Sequence, residues 1–248
     1  MDTSPNNIPH RVALICALEY EIAPLIRGWR RTSLEADGRR LMIFENEDAI
    51  VAVSGIGSNF ARSVSRAVVE EFSPCILISS GLAGSITDEL RAGQAFLAKE
   101  VINATTGRKW STSDGQISLV TTNEIVGWRQ KQQLASAYQA QAVDMEAAGV
   151  AEVAAGYGIP FLAAKAISDP LNFQMPAIQP FIRADGGLST FRFMLFIAVR
   201  PWLWASAIIL ARNSARAVTA LEHLLRQLIR RESERAKAVK LEQGIRSS

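Results

Sequence analysis

The stretch AVDMEAAGVAEVAAGYGIPFLAAKAISD, Ala142 to Asp169, decides how this chain is read. It sets two carboxylates, Asp144 and Glu146, at the opening of a helix of small residues. It then turns at Gly156 to Gly158 and runs an apolar strand from Pro160 to Ile167 into Ser168 and Asp169. Acids at a helix opening and at the carboxyl end of a buried strand mark the crevice where open α/β sheets bind ligands. Burying such groups without a partner or a task is costly. The stretch therefore reads as half of an active site, with the other half at an earlier strand end. Helix positions i and i+2 do not face each other, so one of Asp144 and Glu146 faces a ligand while the other caps or packs.

Upstream, RVALICAL (Arg11 to Leu18) is an apolar strand, followed at once by Glu19-Tyr20-Glu21 and a helix beginning near Ile22 or Pro24, where proline is tolerated. A loop from Arg31 to Arg40 leads to two strands, LMIFEN (41–46) and AIVAVSG (49–55). Gly55-Ile56-Gly57-Ser58-Asn59 opens a helix reaching about Phe72, Pro74 breaks it, and CILISSG (75–81) is a second fully apolar strand running into Leu82-Ala83-Gly84-Ser85. Strand, glycine turn, helix, strand is a crossover rhythm and predicts a largely parallel sheet. Further strands are predicted over 94–101 and 117–120, with the turn-rich TGRKWSTSDG between them and a helix over 124–139. The glycine turns can present backbone N–H groups to an anion or a sugar edge. Alone they are weak signals, since no GxGxxG is present.

Composition narrows the chemistry. With 48% apolar and 21% charged residues over 248 positions, the chain suits one globular core. A net charge of +3, from 27 basic and 24 acidic residues, is too small to imply nucleic acid, and seven Lys/Arg against three Glu fall between Arg226 and Arg246. Cys16 and Cys75 lie in strand-like runs and read as reduced thiols. The start carries no signal region, which predicts a cytoplasmic protein. The only histidines are His10 and His223. A histidine base and a histidine-rich zinc site are therefore set aside, and acid–base work falls to Glu19, Glu21, Asp144, Glu146 and Asp169. The bland reading of Glu19 and Glu21 is a solvated first helical turn, and that of Asp169 an N-cap.

After Asp169, Pro170 to Gly187 reads as a proline-rich loop or lid. Phe191 to Ala211, FRFMLFIAVRPWLWASAIILA, is the most apolar run. Three readings stay open: two helices with Pro201 starting the second, a surface whose Trp202, Trp204, Phe193 and Phe196 touch lipid, or a membrane span. The span is opposed by Arg192 and Arg200. A last amphipathic helix is predicted from Asn213 to about Val239.

The ordered set ALEYE, SGIG, SSGLAG, VDMEAAG and AKAISD resembles the nucleoside phosphorylase superfamily, and most of all its nucleosidase branch, which releases adenine from 5'-methylthioadenosine and S-adenosylhomocysteine. The resemblance covers roughly residues 11–170. It implies a single-domain three-layer α/β sandwich over residues 11–230, with a central, mostly parallel but mixed twisted sheet flanked by helices. A flexible arm (1–10) and a charged helix end or tail (231–248) complete the expected division. By the same resemblance Glu21 activates the attacking water, Glu146 holds the ribose 2'- and 3'-hydroxyls, and Met145 packs under the sugar. Asp169, with Ser168 beside it, protonates purine N7. Ile125 and Val126 meet the base, and Gly55, Ile56, Gly81, Leu82, Ala83 and Gly84 line the site. No metal or cofactor is implied, and a homo-oligomer, at least a dimer, is.

Three departures bear on the substrate. The glycine-and-arginine phosphate loop of phosphorylases is absent, which favours water over phosphate. Leu82 stands where the nucleosidases carry serine. The segment between the strands at 96–101 and 117–120 is short, which opens the 5' side of the site. RPWLW and ARNSARA resemble the hopanoid-associated phosphorylase-like proteins, implying an adenosyl-lipid substrate such as adenosyl-hopane and a peripheral lipid contact through residues 191–204. A phosphate-dependent phosphorylase and a catalytically silent nucleoside binder are the alternatives.

Overall fold

Successive residues of β1 (Val12–Cys16) point to opposite sides of the sheet, and both sides are buried. Val12, Leu14 and Cys16 pack with Leu221, Leu225 and Leu228, whereas Ala13 and Ile15 pack with Ala61, Val64, Val150 and Val153. A strand covered on both faces must be apolar throughout, and VALIC is. The computed structural model describes residues 11–173, 179–181, 186–187, 189, 196–197 and 200–246.

The remaining strands are β2 (Arg30–Ala36), β3 (Arg39–Glu45), β4 (Ala49–Val53), β5 (Ile76–Ser85), β6 (Ala95–Asn103), β7 (Lys109–Ser111), β8 (Ile117–Thr121), β9 (Ala142–Asp144) and β10 (Phe161–Asp169). The helices are α1 (Ser58–Phe72), α2 (Trp128–Tyr138), α3 (Ala147–Tyr157) and α4 (Trp204–Arg246). The strands form one mixed sheet in the order β10-β6-β8-β9-β5-β1-β4-β3-β2, with β7 on β6. Because β10 also pairs with β5, the strands β10, β6, β8, β9 and β5 close partly into a barrel. The parallel pairings join β4, β1, β5 and β10, so their carboxyl ends open at one rim. Helices α1 and α3 cover one face and α4 the other, giving the expected three layers. Gly149 lets α3 approach α1: a Cβ there would stand 2.2 Å from the Ser58 carbonyl oxygen.

Several local expectations are corrected. The helix predicted near Ile22 is a 3-10 turn, Glu19–Glu21, followed by short turns to Gly28. Gly28, at φ +82°, ends it, while Ile22, Leu25 and Ile26 are buried in the core beneath α4. The predicted loop over 31–40 is a hairpin of β2 and β3 turning on Asp37 and Gly38, both at positive φ, as the hairpin turn of type I' requires. Lys109–Ser111, expected as loop, pairs with β6. Asp144 closes a three-residue strand held between β8 and β5, and the helix starts only after Glu146. The last helix begins not at Asn213 but at Trp204, behind a 3-10 turn at Pro201–Leu203. Of the first helix expected within 191–200 only residues 196–197 and 200 are described, and half of the loop over 170–187 lies outside the described residues. Among the described residues no helix is long and apolar enough to cross a membrane. Both cysteines are free, Cys16 buried and Cys75 half-buried.

Candidate active site

The carboxyl ends of β1, β5, β9 and β10 surround a cavity of about 200 Å³. The 3-10 turn after β1 drops Glu21 into it. Leu18 N–H donates to Glu21 Oε2 at 3.1 Å and Leu82 N–H to Oε1 at 3.3 Å, so both oxygens are fixed by backbone. Gly81 sits underneath at φ +140°, where a Cβ would come within 3.0 Å of Oε2. Burial raises the Glu21 carboxyl above its ordinary range, against the pull of those N–H groups and of the Lys165 charge.

Asp144 and Glu146 make different contacts, but not for the helical reason expected, since Asp144 ends β9 and Glu146 precedes α3. Asp144 is the packed one: Thr121 Oγ1 donates to Oδ1 at 2.7 Å and Ala147 N–H to Oδ2 at 2.9 Å. Glu146 extends to the opposite wall, where Gly57 N–H donates to Oε1 at 2.9 Å, and Met145 N–H donates to Oε2 at 3.3 Å. The Gly55–Ser58 turn thus serves the acid with a backbone donor. Burial pushes the Glu146 carboxyl up to about 7, with Lys165 opposing and the neighbouring Asp144 and Glu21 charges adding to the rise.

At the end of β10, Ser168 Oγ donates to Asp169 Oδ1 at 2.7 Å, and Lys131 Nζ donates to Oδ2 at 2.5 Å. Gly84 passes against this pair: a Cβ there would lie 2.9 Å from Asp169 Oδ2. Of the residues expected at the site, Glu21, Ile56, Leu82, Ala83, Gly84, Ile125, Val126, Met145, Glu146, Ser168 and Asp169 line the cavity. Gly81 supports Glu21 from behind, and Gly55 is held by its N–H to the Ala17 carbonyl oxygen at 3.0 Å. Neither lines the cavity.

Residues 11–126 and 111–194 match the model of the family described as the phosphorylase superfamily. The chain belongs to that superfamily. It is 24% identical over 204 residues to a 5'-methylthioadenosine/S-adenosylhomocysteine nucleosidase of Shewanella halifaxensis, covering 67% of this chain and 89% of that one. It is also 23% identical over 164 residues to the protein so named in Staphylococcus aureus, over 52% and 72% of the two chains. Among solved structures it is similar to Arabidopsis thaliana 5'-methylthioadenosine nucleosidase (TM-score 0.68, 18% identity, 90% and 96% covered). Helicobacter pylori futalosine hydrolase is also similar (TM-score 0.64, 18% identity, 89% and 98% covered).

Two lysines of this superfamily member were not expected at the site. Lys165, in the middle of β10, is wholly buried, with Nζ 2.8 Å from Asp144 Oδ2 as an ion pair. Burial favours its neutral form, but Asp144, Glu146 and Glu21 outweigh that and raise its affinity for the proton. A lysine inside LAAKAIS was the available signal, because a cation in a buried strand needs anions around it. Lys131 is buried on α2, whose sequence WRQKQQLASAY carries four polar neighbours around it and no hint of a special lysine. Among the described residues no cluster of His, Cys, Asp and Glu could hold a metal ion.

Proposed function

We propose that the chain is an N-ribosyl hydrolase that releases adenine from an adenosine carrying a 5' substituent. The observation that carries this reading is the charge of the cavity. Among the described residues its lining holds five carboxylates, Glu21, Glu124, Asp144, Glu146 and Asp169, and one cation, Lys131, already paired with Asp169. A phosphate nucleophile would bring its own negative charge into that field. Neutral water would not, and the positive ribosyl centre that forms as the glycosidic bond breaks is stabilised by it.

Each side chain then has a role. Glu21, with its proton affinity raised by burial, takes a proton from water as the oxygen closes on the anomeric carbon. Glu146 accepts the ribose 2'- and 3'-hydroxyls, and Met145 packs under the ring. Asp169, held by Ser168, protonates purine N7, while Ile125 and Val126 contact the base. The electron pair of the broken bond leaves on adenine.

The 5' substituent is apolar and large, an adenosyl lipid such as adenosyl-hopane. Ile56 N–H, in the cavity wall, donates to the Gly186 carbonyl oxygen at 2.8 Å. Beyond that segment Phe181 stacks obliquely on Phe196, and Trp204 Nε1 donates to the Ile197 carbonyl oxygen. The run continues into exposed Trp202, Trp204, Ile208 and Ile209. An apolar surface that follows the residues near the cavity suits a greasy substrate or the bilayer holding it.

Methylthioadenosine, adenosylhomocysteine, adenosine and an adenosyl lipid, each incubated with and without phosphate while adenine is measured, test this. Phosphate-independent adenine release is expected, fastest for the lipid, with the sugar freed as ribose that keeps its 5' substituent. Ribose 1-phosphate as product would overturn hydrolysis. Glu21→Gln should cut kcat by about 10²–10⁴-fold, and wild-type turnover by that variant would remove the mechanism.

A further inference from the structure

The acid assigned to the leaving base sits in a buried ion pair with a lysine. Both oxygens of Asp169 accept hydrogen bonds: Oδ1 from the Ser168 hydroxyl at 2.7 Å and Oδ2 from the Lys131 ammonium at 2.5 Å. The pair is buried, with side-chain exposures of 3% for Lys131 and 6% for Asp169, which makes the ammonium the nearest proton donor to the carboxylate. An ammonium has three donors. Lys131 spends one on Asp169 and one on the Pro170 carbonyl oxygen at 3.1 Å, and Lys131 lines the cavity. Gly84 fits against the same pair, where a Cβ would stand 2.9 Å from Asp169 Oδ2 and 3.3 Å from Lys131 Nζ. Any other residue at 84 would press on both groups.

We propose that Lys131 is the source of the proton that Asp169 delivers to the departing purine, and the positioning residue for that carboxyl group. This rests on the hydrolase reading above. In the step, one Nζ–H bond of Lys131 breaks and the proton passes to Asp169 Oδ2, then to the base nitrogen. The glycosidic bond breaks with its electron pair on the base, which leaves neutral. Water adds to the anomeric carbon and gives one proton to Glu21. Lys131 ends as a neutral amine, Asp169 as a carboxylate and Glu21 as a carboxylic acid. One proton lost at the base side matches one gained at the water side, and exchange with solvent after release restores the start.

Lys131→Met removes both charge and proton. Lys131→Arg keeps the cation beside Asp169 but cannot give up a proton, so the two variants separate proton supply from positioning. Each is compared with wild type on methylthioadenosine, whose base needs protonation to leave, and on 4-nitrophenyl β-D-riboside, whose phenolate leaves without it. Both variants should lose about 10²-fold in kcat on methylthioadenosine, with KM changed only a few-fold, and at least tenfold less on the nitrophenyl riboside. Adding Asp169→Asn to Lys131→Arg should cost no more than the worse single change, since the two act as one unit. Full kcat in Lys131→Arg would overturn the proton-supply role, and equal losses on both substrates would overturn any role confined to the leaving group. Wild-type protein that cleaves the nitrophenyl riboside but whose release of adenine is unaffected in both variants refutes Lys131 alone. Wild-type protein that cleaves neither refutes the hydrolase reading and this assignment with it.

Discussion

Replacing Glu146 by Gln isolates the energetic strain of the site. In the folded chain this carboxyl is buried beside Asp144 and Glu21 and binds its proton up to about pH 7, against an ordinary value of 4.5. Below pH 4.5 the side chain is protonated whether the chain is folded or unfolded, and Gln, which resembles the protonated acid, should match wild type. Between 4.5 and about 7 the unfolded chain ionises and the folded one does not, so wild-type stability falls as pH rises. Above about 7 both states are ionised and the loss is complete. At about 1.4 kcal/mol per pK unit, the displacement is worth about 3 kcal/mol. Urea unfolding of both proteins at half-unit intervals from pH 4 to 8.5 reads this directly. The variant's advantage should open from pH 4.5, grow to about 3 kcal/mol near pH 7 and then stay flat, while its kcat/KM collapses because a neutral amide holds the ribose hydroxyls poorly. An advantage independent of pH, or one that shrinks as pH rises, would refute the claim that burial of this carboxylate strains the fold.

Other changes test other contacts. Lys165→Met leaves Asp144 and its neighbours without their buried cation and should destabilise by about 3–5 kcal/mol; a wild-type urea midpoint would show that the cation is dispensable. Gly149→Ala places a methyl 2.2 Å from the Ser58 carbonyl oxygen and should cost at least about 2 kcal/mol by forcing α1 and α3 apart, read as a lowered Tm. An unchanged Tm would mean that the helices separate freely. Gly84→Ala should displace Asp169 and cut kcat by about 10²-fold with little change in stability, and equal kcat would exclude a tight fit at that position.

What was legible in the sequence follows from how local its cause is. VALIC and ILIS could be read as buried strands because burial on both faces demands unbroken apolar residues. The helical spacing argument for Asp144 and Glu146 did not apply, because Asp144 ends a strand and the helix begins only after Glu146. The hairpin at Asp37-Gly38 was missed although its turn signal is local. The charged residues of β2 (RRTSLEA) hid an edge strand. The short β9 could not be read at all: AVD is a strand because β8 and β5 flank it, and no three-residue stretch encodes that. Lys131 is the extreme case. It meets Asp169, 38 residues away, only because the barrel closure brings the end of β10 beside α2, and nothing in its own helix distinguishes it.

The site's arrangement of charge also explains why several acids can share one small cavity. Asp144 is spent on structure: its oxygens are taken by Thr121, Ala147 and Lys165, so it serves as a fixed anion that keeps Lys165 charged. Lys165 in turn faces Glu21 and Glu146 and restrains their rise in proton affinity. Without it, burial and mutual repulsion would drive both acids further toward their neutral forms, which in the proposed mechanism would keep Glu21 from taking a proton from water and Glu146 from accepting hydrogen bonds of the ribose hydroxyls. A stronger cation field would overshoot, making Glu21 too weak a base to draw a proton from water. In the proposed reaction one buried lysine among three carboxylates holds the pair between those limits, and the excess negative charge stabilises the positive ribosyl centre as it forms.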